Sequence, residues 1–207
     1  MPSGIAIIDY GMANLRSVQK AFEAVGASAE ITSDPKRIAN ADRLVLPGVG
    51  AFRDAIARLR ETGLDETIPA FIASGRPFLG ICLGLQMLFE SSCEDGLHEG
   101  LKLFDGKIVR FAERPGLKIP QMGWNDLQFP KPGCPLFRDL PDEVQVYFVH
   151  SYYAVPSDPS IIAATADFPD AFCAAIWKDN VVATQFHPEK SQKIGLKMLE
   201  NFAKWEL

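Results

Sequence analysis

The sequence of 207 residues has no long apolar run, no cluster of basic residues and few cysteines or histidines. No segment approaches the roughly twenty consecutive apolar residues of a membrane-spanning helix, and the N-terminus lacks the basic region of a signal peptide. We therefore expect a soluble, cytoplasmic protein. The chain carries 21 Lys and Arg against 26 Asp and Glu, a net charge of −5, which argues against nucleic acid or an anionic membrane as the main partner.

The four cysteines do not follow a pattern typical of metal sites or disulfide scaffolds. None belongs to a Cys-x-x-Cys pair or has zinc-like spacing from the three histidines, so we predict no metal site and no cofactor. A chain of this length that is 47% hydrophobic can bury a core without a disulfide framework. A cysteine in such a chain is usually a small buried side chain, and only Cys82 has a context that indicates chemistry.

The first ninety residues alternate between apolar strands and amphipathic helices, which is typical of a parallel sheet covered on both faces. Strands are predicted at 4–9, 27–32, 43–46 and 76–81, and helices at 14–25, 51–60, 64–73 and 83–90.

After about Gly96, short β-like runs separated by Pro, Gly and Asp indicate an antiparallel extension of the sheet. These runs are 106–112, 144–155, 161–166, 172–177 and 181–185. An amphipathic helix is predicted at 190–205, with Ser191 as a candidate N-cap. We therefore predict one domain over residues 1–207, of class α/β, forming a three-layer sandwich with a largely parallel central sheet.

The segment Gly80-Ile-Cys-Leu-Gly84 lies where the strand predicted at 76–81 becomes a helix. This is the position and spacing of a nucleophile elbow with Cys in place of Ser. Its glycines allow a tight turn that exposes the sulfur near the helix N-terminus, where the dipole favours the thiolate. We interpret Cys82 as a nucleophile and the backbone N–H of Leu83 as an oxyanion donor. The alternative is a buried structural cysteine with incidental glycines.

A thiol nucleophile needs a proton acceptor, and the sequence offers His98, His150 and His187. His187 follows the strand predicted at 181–185, and Glu189, two residues later, faces the same way in an extended chain. A carboxylate beside an imidazole selects its tautomer and stabilises its charged form. His98 lies in a polar loop and His150 has no carboxylate neighbour in sequence, so we predict His187 as the base and Glu189 as its orienter. The alternative is that His187 is a structural histidine.

A second candidate oxyanion element is Pro47-Gly-Val-Gly50, directly after the third predicted strand. Its glycines let backbone N–H groups approach a ligand closely, so Val49 and Gly50 are candidate donors, although an ordinary βα turn has the same composition. Because sites form at the carboxyl ends of strands in parallel sheets, we expect this turn, the Cys82 elbow and the His187 pair to meet.

Three motifs together resemble those of the triad, or class I, glutamine amidotransferases over essentially the whole chain. They are PGVG at 47–50, GICLGLQ at 80–86 and QFHPEKS at 185–191. The resemblance implies a class I glutamine amidotransferase-like fold. It also implies that a thiolate attacks the side-chain amide of glutamine, that ammonia leaves, and that a γ-glutamyl thioester is hydrolysed to glutamate.

The family's catalytic Cys, His and Glu fall on Cys82, His187 and Glu189. Contacts with the substrate glutamine are implied for four further residues, Gly48, Gln86, Ser151 and Tyr152.

Within that family the sequence is similar to the glutaminase subunits of imidazole glycerol phosphate synthase. The similarity rests on IIDYGMANLR at 7–16, on PGVG, on PQMGWN at 120–125 and on FVHSY at 148–152. It implies a heterodimer with a (βα)8-barrel cyclase, which uses the ammonia to form imidazole glycerol phosphate and an aminoimidazole carboxamide ribonucleotide in histidine biosynthesis. Ala13 and Gln121 depart from that subfamily, in which Gly and His are common, and both lie in segments associated with the partner.

We expect contacts with the partner from Asn14, Arg16, Met122 and Trp124. The alternative for the last two is that they are core residues, but their place between Pro-rich loops favours the surface. A peptide between Gly48 and Gly50 can rotate at low steric cost, so we also expect the partner to switch the glutaminase on.

Two alternatives remain. The chain could be a glutaminase for another synthase, such as one forming anthranilate or pyridoxal phosphate, but the PQMGWN motif argues against this. It could be a non-enzymatic member of the wider Cys-elbow superfamily, but a binding module has no need of the His187–Glu189 pair.

Overall fold

The computed structural model describes residues 4–206, and its largest element is an eleven-stranded sheet. The strands are β1 (Ile5–Ile8), β2 (Ala29–Thr32), β3 (Arg43–Gly48), β4 (Phe78–Cys82), β5 (Phe89–Ser92), β6 (His98–Glu99), β7 (Phe104–Arg110), β8 (Gln121–Asp126), β9 (Gln145–His150), β10 (Tyr152–Pro156), β11 (Ile162–Asp167), β12 (Ala171–Lys178) and β13 (Val181–Thr184). The helices are α1 (Leu15–Ala24), α2 (Pro35–Asn40), α3 (Phe52–Glu61), α4 (Leu64–Ala73), α5 (Leu83–Gln86) and α6 (Gln192–Ala203).

The large sheet has the strand order β2-β1-β3-β4-β13-β12-β10-β7-β5-β6, with β11 paired to β12 outside this path. From β2 to β13 all neighbouring strands run parallel. From β13 to β7 the neighbours are antiparallel, and β5 joins the far side of β7 in parallel. The prediction of a largely parallel sheet with an antiparallel extension is confirmed.

Helices cover both faces of the parallel part, in which the strands β1, β4 and β13 are buried at every position. In β1, Ile5 and Ile7 pack on one face while Ala6 and Ile8 pack on the other, as the two-residue period of a strand requires. Full burial of an Ile side chain contributes roughly 1.5–3 kcal/mol, so a strand buried on both faces anchors the sheet.

Each covering helix presents one apolar stripe to the sheet. In α1 the buried residues Val18, Ala21 and Phe22 have helical spacing, and the Phe22 ring lies 6.1 Å from that of Phe202 in α6. The opposite face is covered by α3 and α4. Their buried residues are Phe52, Ala55, Ile56, Leu59, Leu64, Ile68 and Phe71. The result is the predicted three-layer sandwich.

A separate two-stranded sheet, β8 with β9, lies outside the large sheet. The run predicted at 144–155 is divided at Ser151: β9 pairs with β8, while β10 pairs with β7 and β12. Strand β8 was not predicted, because Met122 and Trp124 are its only apolar side chains and the remaining residues are Gln, Gly, Asn and Asp, which are not typical of strands. No helix within residues 4–206 is long and apolar enough to cross a bilayer.

The helix predicted at 83–90 is wrong in extent. It ends at Gln86, and β5 begins at Phe89. The carbonyl of Met87 accepts from the N–H of Leu101, which pairs this segment with the chain that leads to β7. Every residue from 83 to 89 is buried, so the apolar pattern could not distinguish a helix from a strand.

The predicted start of the last helix is wrong by two residues, whereas Ser191 does occupy the N-cap position. Residues Pro188–Lys190 form a 3₁₀ turn, and α6 begins at Gln192. The Ser191 hydroxyl does not cap the helix: it donates to the carbonyl of His187 at 2.7 Å and accepts from the N–H of Tyr147 at 3.0 Å. It therefore fastens the segment that carries His187 to β9.

Candidate active site

The carboxyl ends of three adjacent parallel strands bring the sequence motifs together. Gly48 at the end of β3 is in register with Cys82 at the end of β4, and Thr184 of β13 pairs with Ile81 on the other side. The PGVG turn therefore flanks Cys82 on one side, and the QFHPE segment flanks it on the other. The prediction that the three motifs meet at one sheet edge is confirmed.

The turn at Cys82 is strained and held by close packing. Cys82 has φ 56° and ψ −109°, a backbone conformation that costs a non-glycine residue on the order of 1–3 kcal/mol. A Cβ at Gly80 would lie 2.9 Å from the Cβ of Ala183, and one at Gly84 would collide with the carbonyl oxygen of Leu46. The two glycines let α5 approach the strands closely enough to stabilise this turn. The elbow predicted from the sequence is therefore present in the structure.

His187 and Glu189 form a buried pair beside the elbow. The Nδ1 atom of His187 lies 2.8 Å from Oε1 of Glu189, and both side chains are almost completely excluded from solvent. Burial alone would lower the pKa of His187, but Cys82 and Glu189 outweigh it and raise the pKa above its ordinary value. The Nε2 atom has no hydrogen-bond partner among residues 4–206, which leaves it available for proton transfer.

His150 lies in the same region but cannot serve as the base in this arrangement. Its Nδ1 lies 2.8 Å from the carbonyl oxygen of Tyr152 and its Nε2 lies 2.9 Å from Oε1 of Gln121. Burial lowers the pKa of His150 to about 4. A neutral ring that donates from Nδ1 must accept at Nε2. The Gln121 amide therefore has to be turned over, with its NH₂ group in the position assigned to Oε1.

The PGVG turn has its candidate oxyanion donor engaged elsewhere. The N–H of Val49 donates to the carbonyl oxygen of Met12 at 3.1 Å. Gly50 follows with φ +94°, in the left-handed region that favours glycine. Leu83 is the first residue of α5, and the N–H groups of a first helical turn have no acceptor within the helix.

A pocket of about 410 Å³ opens at this edge, a size suited to an amino acid. Its lining includes eight of the residues predicted for chemistry or substrate contact: Val49, Gly50, Cys82, Leu83, Gln86, Ser151, Tyr152 and His187. The lining residues that were not predicted to take part in chemistry or substrate contact are Glu94, Pro120, Val149, His150 and Lys190. Glu94 follows β5, and Lys190 lies within the QFHPEKS motif, but the sequence indicated no binding role for either side chain.

Gly48 lies behind the pocket wall. A Cβ at this position would come 2.6 Å from the hydroxyl oxygen of Tyr10 and 2.8 Å from the Cβ of Leu83. Glycine is therefore needed here for close packing of the turn against the elbow. Its predicted contact with a substrate stays a prediction.

The four predicted partner contacts lie on the surface of two segments, one of which, β8, follows Pro120 of the pocket lining. Asn14 and Arg16 are at the start of α1. On β8, Met122 is 65% exposed and Trp124 is 46% exposed, with the Trp124 ring packed edge-on against Tyr147. The alternative interpretation of Met122 and Trp124 as core residues is wrong. Within residues 4–206 no cluster of three or more His, Cys, Asp or Glu side chains is placed to hold a metal ion.

The sequence is similar to a known family and to named proteins of several bacteria. The family described as glutamine amidotransferase class-I matches residues 6–205. The protein named imidazole glycerol phosphate synthase subunit HisH from Syntrophotalea carbinolica is 58% identical over 203 residues, covering 96% of this chain and 98% of that one. The protein of the same name from Geobacter sulfurreducens is 57% identical, covering 96% of this chain and 97% of the relative.

A solved structure of PurLQS from Thermotoga maritima matches with a TM-score of 0.75 at 19% identity and covers 98% of each chain. At this identity the match speaks for the fold alone.

Proposed function

Since the chain belongs to the class I glutamine amidotransferase family, we propose that it hydrolyses glutamine to glutamate and ammonia with Cys82 as the nucleophile. The observation that supports this most strongly is the strained turn at Cys82 beside His187, whose other ring nitrogen is bonded to Glu189. A binding module has no need for a buried imidazole with a free nitrogen next to a thiol. We also propose that residues 1–207 act as one domain, since a single sheet runs through the described part of the chain.

In the first half of the proposed reaction, the thiolate of Cys82 attacks the side-chain amide carbon of glutamine. The carbonyl oxygen becomes an oxyanion, for which the N–H of Leu83 and the N–H groups of Val49 and Gly50 are the candidate donors. The imidazolium of His187 gives its proton to the departing nitrogen, the carbon–nitrogen bond breaks, and ammonia leaves with a γ-glutamyl thioester on the sulfur.

In the second half, neutral His187 takes a proton from water as the water oxygen attacks the thioester carbon. Collapse of the tetrahedral intermediate breaks the carbon–sulfur bond, returns the thiolate and releases glutamate. Glu189 keeps the imidazole in the tautomer that has Nδ1 protonated and stabilises its charged form in both halves. The raised pKa of His187 fits a ring that is charged at the start of the cycle.

Three polar side chains of the pocket fit a free amino acid. Glu94 offers a carboxylate for an α-ammonium group and Lys190 an ammonium for an α-carboxylate. The Gln86 amide donates its Nε2 hydrogens to Tyr152 and Gln185, which leaves Oε1 as an acceptor for the substrate. Together with Ser151 and Tyr152 on the pocket wall, these groups support glutamine as the substrate.

We propose further that the chain is the glutaminase subunit of an imidazole glycerol phosphate synthase, as the names of the relatives suggest. Its ammonia would pass to a (βα)8-barrel cyclase, which would form imidazole glycerol phosphate and an aminoimidazole carboxamide ribonucleotide. Exposed Met122 and Trp124 fit a surface that a partner covers. Asn14 and Arg16 fit the same role because α1 follows the Met12 segment, which holds Val49.

The test is glutamate release by the chain mixed in turn with such a cyclase, with an anthranilate synthase component and with a pyridoxal phosphate synthase. Stimulation by the cyclase alone supports the proposal, and stimulation by another synthase would show that the chain serves that synthase instead.

An electrophilic glutamine analogue should label Cys82 and spare Cys93, Cys134 and Cys173 in peptide mass spectra. Absence of both labelling and hydrolysis would favour the non-enzymatic alternative.

A further inference from the structure

Gln185 lies beside the nucleophile. It is the first residue of the QFHPEKS motif, and the sequence indicated no role for its side chain. Its side chain is fully buried, and its Nε2 lies 3.7 Å from the Sγ atom of Cys82. It is two residues before His187, so the chain that brings the base to the sulfur also brings this amide there. A buried primary amide needs partners for both ends, and one end of this amide faces the sulfur.

The orientation of the amide follows from its neighbours. The carbonyl oxygen of Tyr152 can only accept hydrogen bonds, so the atom of Gln86 that lies 2.9 Å from it must be the donor Nε2. The same Nε2 lies 3.0 Å from the Gln185 side chain, which must therefore present its oxygen there. The Gln185 NH₂ group is left to face Cys82.

The carbonyl oxygen of Tyr152, from which this orientation follows, is itself held in place by a second hydrogen bond. The Tyr152 carbonyl also accepts from Nδ1 of His150, which lies 2.8 Å away. His150 is held in turn by Gln121 on β8. Rotation of the Gln185 amide would place two donors or two acceptors against each other in a site without solvent, which is costly.

We propose that Gln185 is a positioning residue that donates a hydrogen bond from its side-chain NH₂ to the Cys82 thiolate, an inference that rests on the proposed glutaminase function. The donor holds the sulfur in the attacking position and favours the charged form over the thiol, because an ionised acceptor strengthens a hydrogen bond. It acts again when the thioester collapses, since the departing sulfur regains its negative charge.

The test uses Gln185→Met, which keeps the length of the side chain and removes the donor. The rate of alkylation by iodoacetamide is followed against pH on the peptide that contains Cys82, with exposed Cys93 as the reference thiol of the same molecule. We expect the pH of half-maximal alkylation at Cys82 to rise by about one pH unit, and alkylation near pH 7 to slow about tenfold. In the complex with the synthase, kcat should fall more than KM rises.

Thr184→Val is the matched control. Thr184 is equally buried, and its hydroxyl donates to the carbonyl of Phe186 and not to the sulfur. Its loss should lower stability without moving the alkylation profile. If Gln185→Met does not fold, Gln185→Glu serves instead: it keeps the shape and the acceptor toward Gln86, places a carboxylate oxygen against the sulfur, and should move the profile at least as far.

An alkylation profile of Gln185→Met that matches the wild type, while the wild-type complex hydrolyses glutamine, would overturn the inference and leave the proposed function intact. A wild-type complex that hydrolyses no glutamine would instead refute the proposed function. The same rise in the Thr184→Val control would show that loosening of the strand, and not the donor, causes the effect.

Discussion

The N–H of Val49 donates to the carbonyl oxygen of Met12 at 3.1 Å, so it is not directed at a substrate carbonyl beside Cys82. Loss of one oxyanion donor costs roughly 10²–10³ in rate. Rotation of the Gly48–Val49 peptide would restore the donor. The structure thus suits a resting state that wastes little glutamine.

We predict that the isolated chain hydrolyses glutamine poorly and that the cyclase with its ligand raises the rate by roughly 10²-fold or more. The partner would act through α1 and through Met12, whose carbonyl accepts from the N–H of Val49. This would couple the partner surface to the oxyanion turn. Steady-state glutaminase rates are compared for the chain alone, the complex, and the complex with ligand. Three equal rates would refute the switch while leaving the Cys82 chemistry untouched.

His187→Asn should reduce glutamine hydrolysis almost as much as loss of the thiol, because it removes the base. Glu189→Gln should be milder, since it removes electrostatic support but keeps the ring in place. The readout is kcat for glutamine in the complex. His150→Asn is the comparison: if it were the severe change and His187→Asn the mild one, the assignment of the base would be wrong.

Gly84→Ala should destabilise the fold by roughly 1–3 kcal/mol, because its Cβ would collide with the carbonyl oxygen of Leu46. Gly4→Ala is the control, since a Cβ there would meet only the Asp42 carboxylate at an ordinary 3.8 Å. The free energy of unfolding is measured in urea for both variants. Equal stabilities would contradict the claim that close packing of α5 on β3 holds the elbow.

Buried His150 should make the fold less stable in mild acid. Its pKa is about 4 in the folded chain against an ordinary 6.5, so the unfolded chain binds the extra proton first as pH falls. The contribution of neutral, buried His150 to the free energy of unfolding is complete above about pH 6.5 and is lost between pH 6.5 and 4. At roughly 1.4 kcal/mol per pKa unit it amounts to about 3 kcal/mol.

The measurement is the free energy of unfolding in urea at several pH values for the wild type and His150→Asn. Subtracting the two free energies of unfolding cancels the titration of other groups. The difference should shrink as pH falls from 6.5 to 4. A difference that does not change with pH would contradict the account of His150.

The sequence predicted the parts of the fold that have a local cause. The βα alternation predicted the parallel half of the sheet, and the glycines around Cys82 predicted the elbow. The contact between His187 and Glu189 could be predicted because the two-residue spacing places both side chains on one side of an extended chain.

What the sequence did not predict depends on tertiary contacts. The buried run at 83–89 gave no period to separate α5 from β5. Gln185 and Gln121 belong to motifs in the sequence, but only the fold shows that the first lies against the sulfur and the second against His150. The engagement of Val49 with Met12 likewise joins residues far apart in sequence.

The most direct test of the central claim, that Cys82 releases ammonia from glutamine for a partner synthase, is product formation by the complex carrying Cys82→Ser. The synthase is supplied either with glutamine or with an ammonium salt at alkaline pH, and the wild-type complex is measured alongside. We predict that the variant loses synthesis from glutamine and keeps synthesis from ammonium at the wild-type rate, because the thiolate serves only to release ammonia. Synthesis from glutamine at an undiminished rate, or loss of both reactions in a complex that still assembles, would contradict the account.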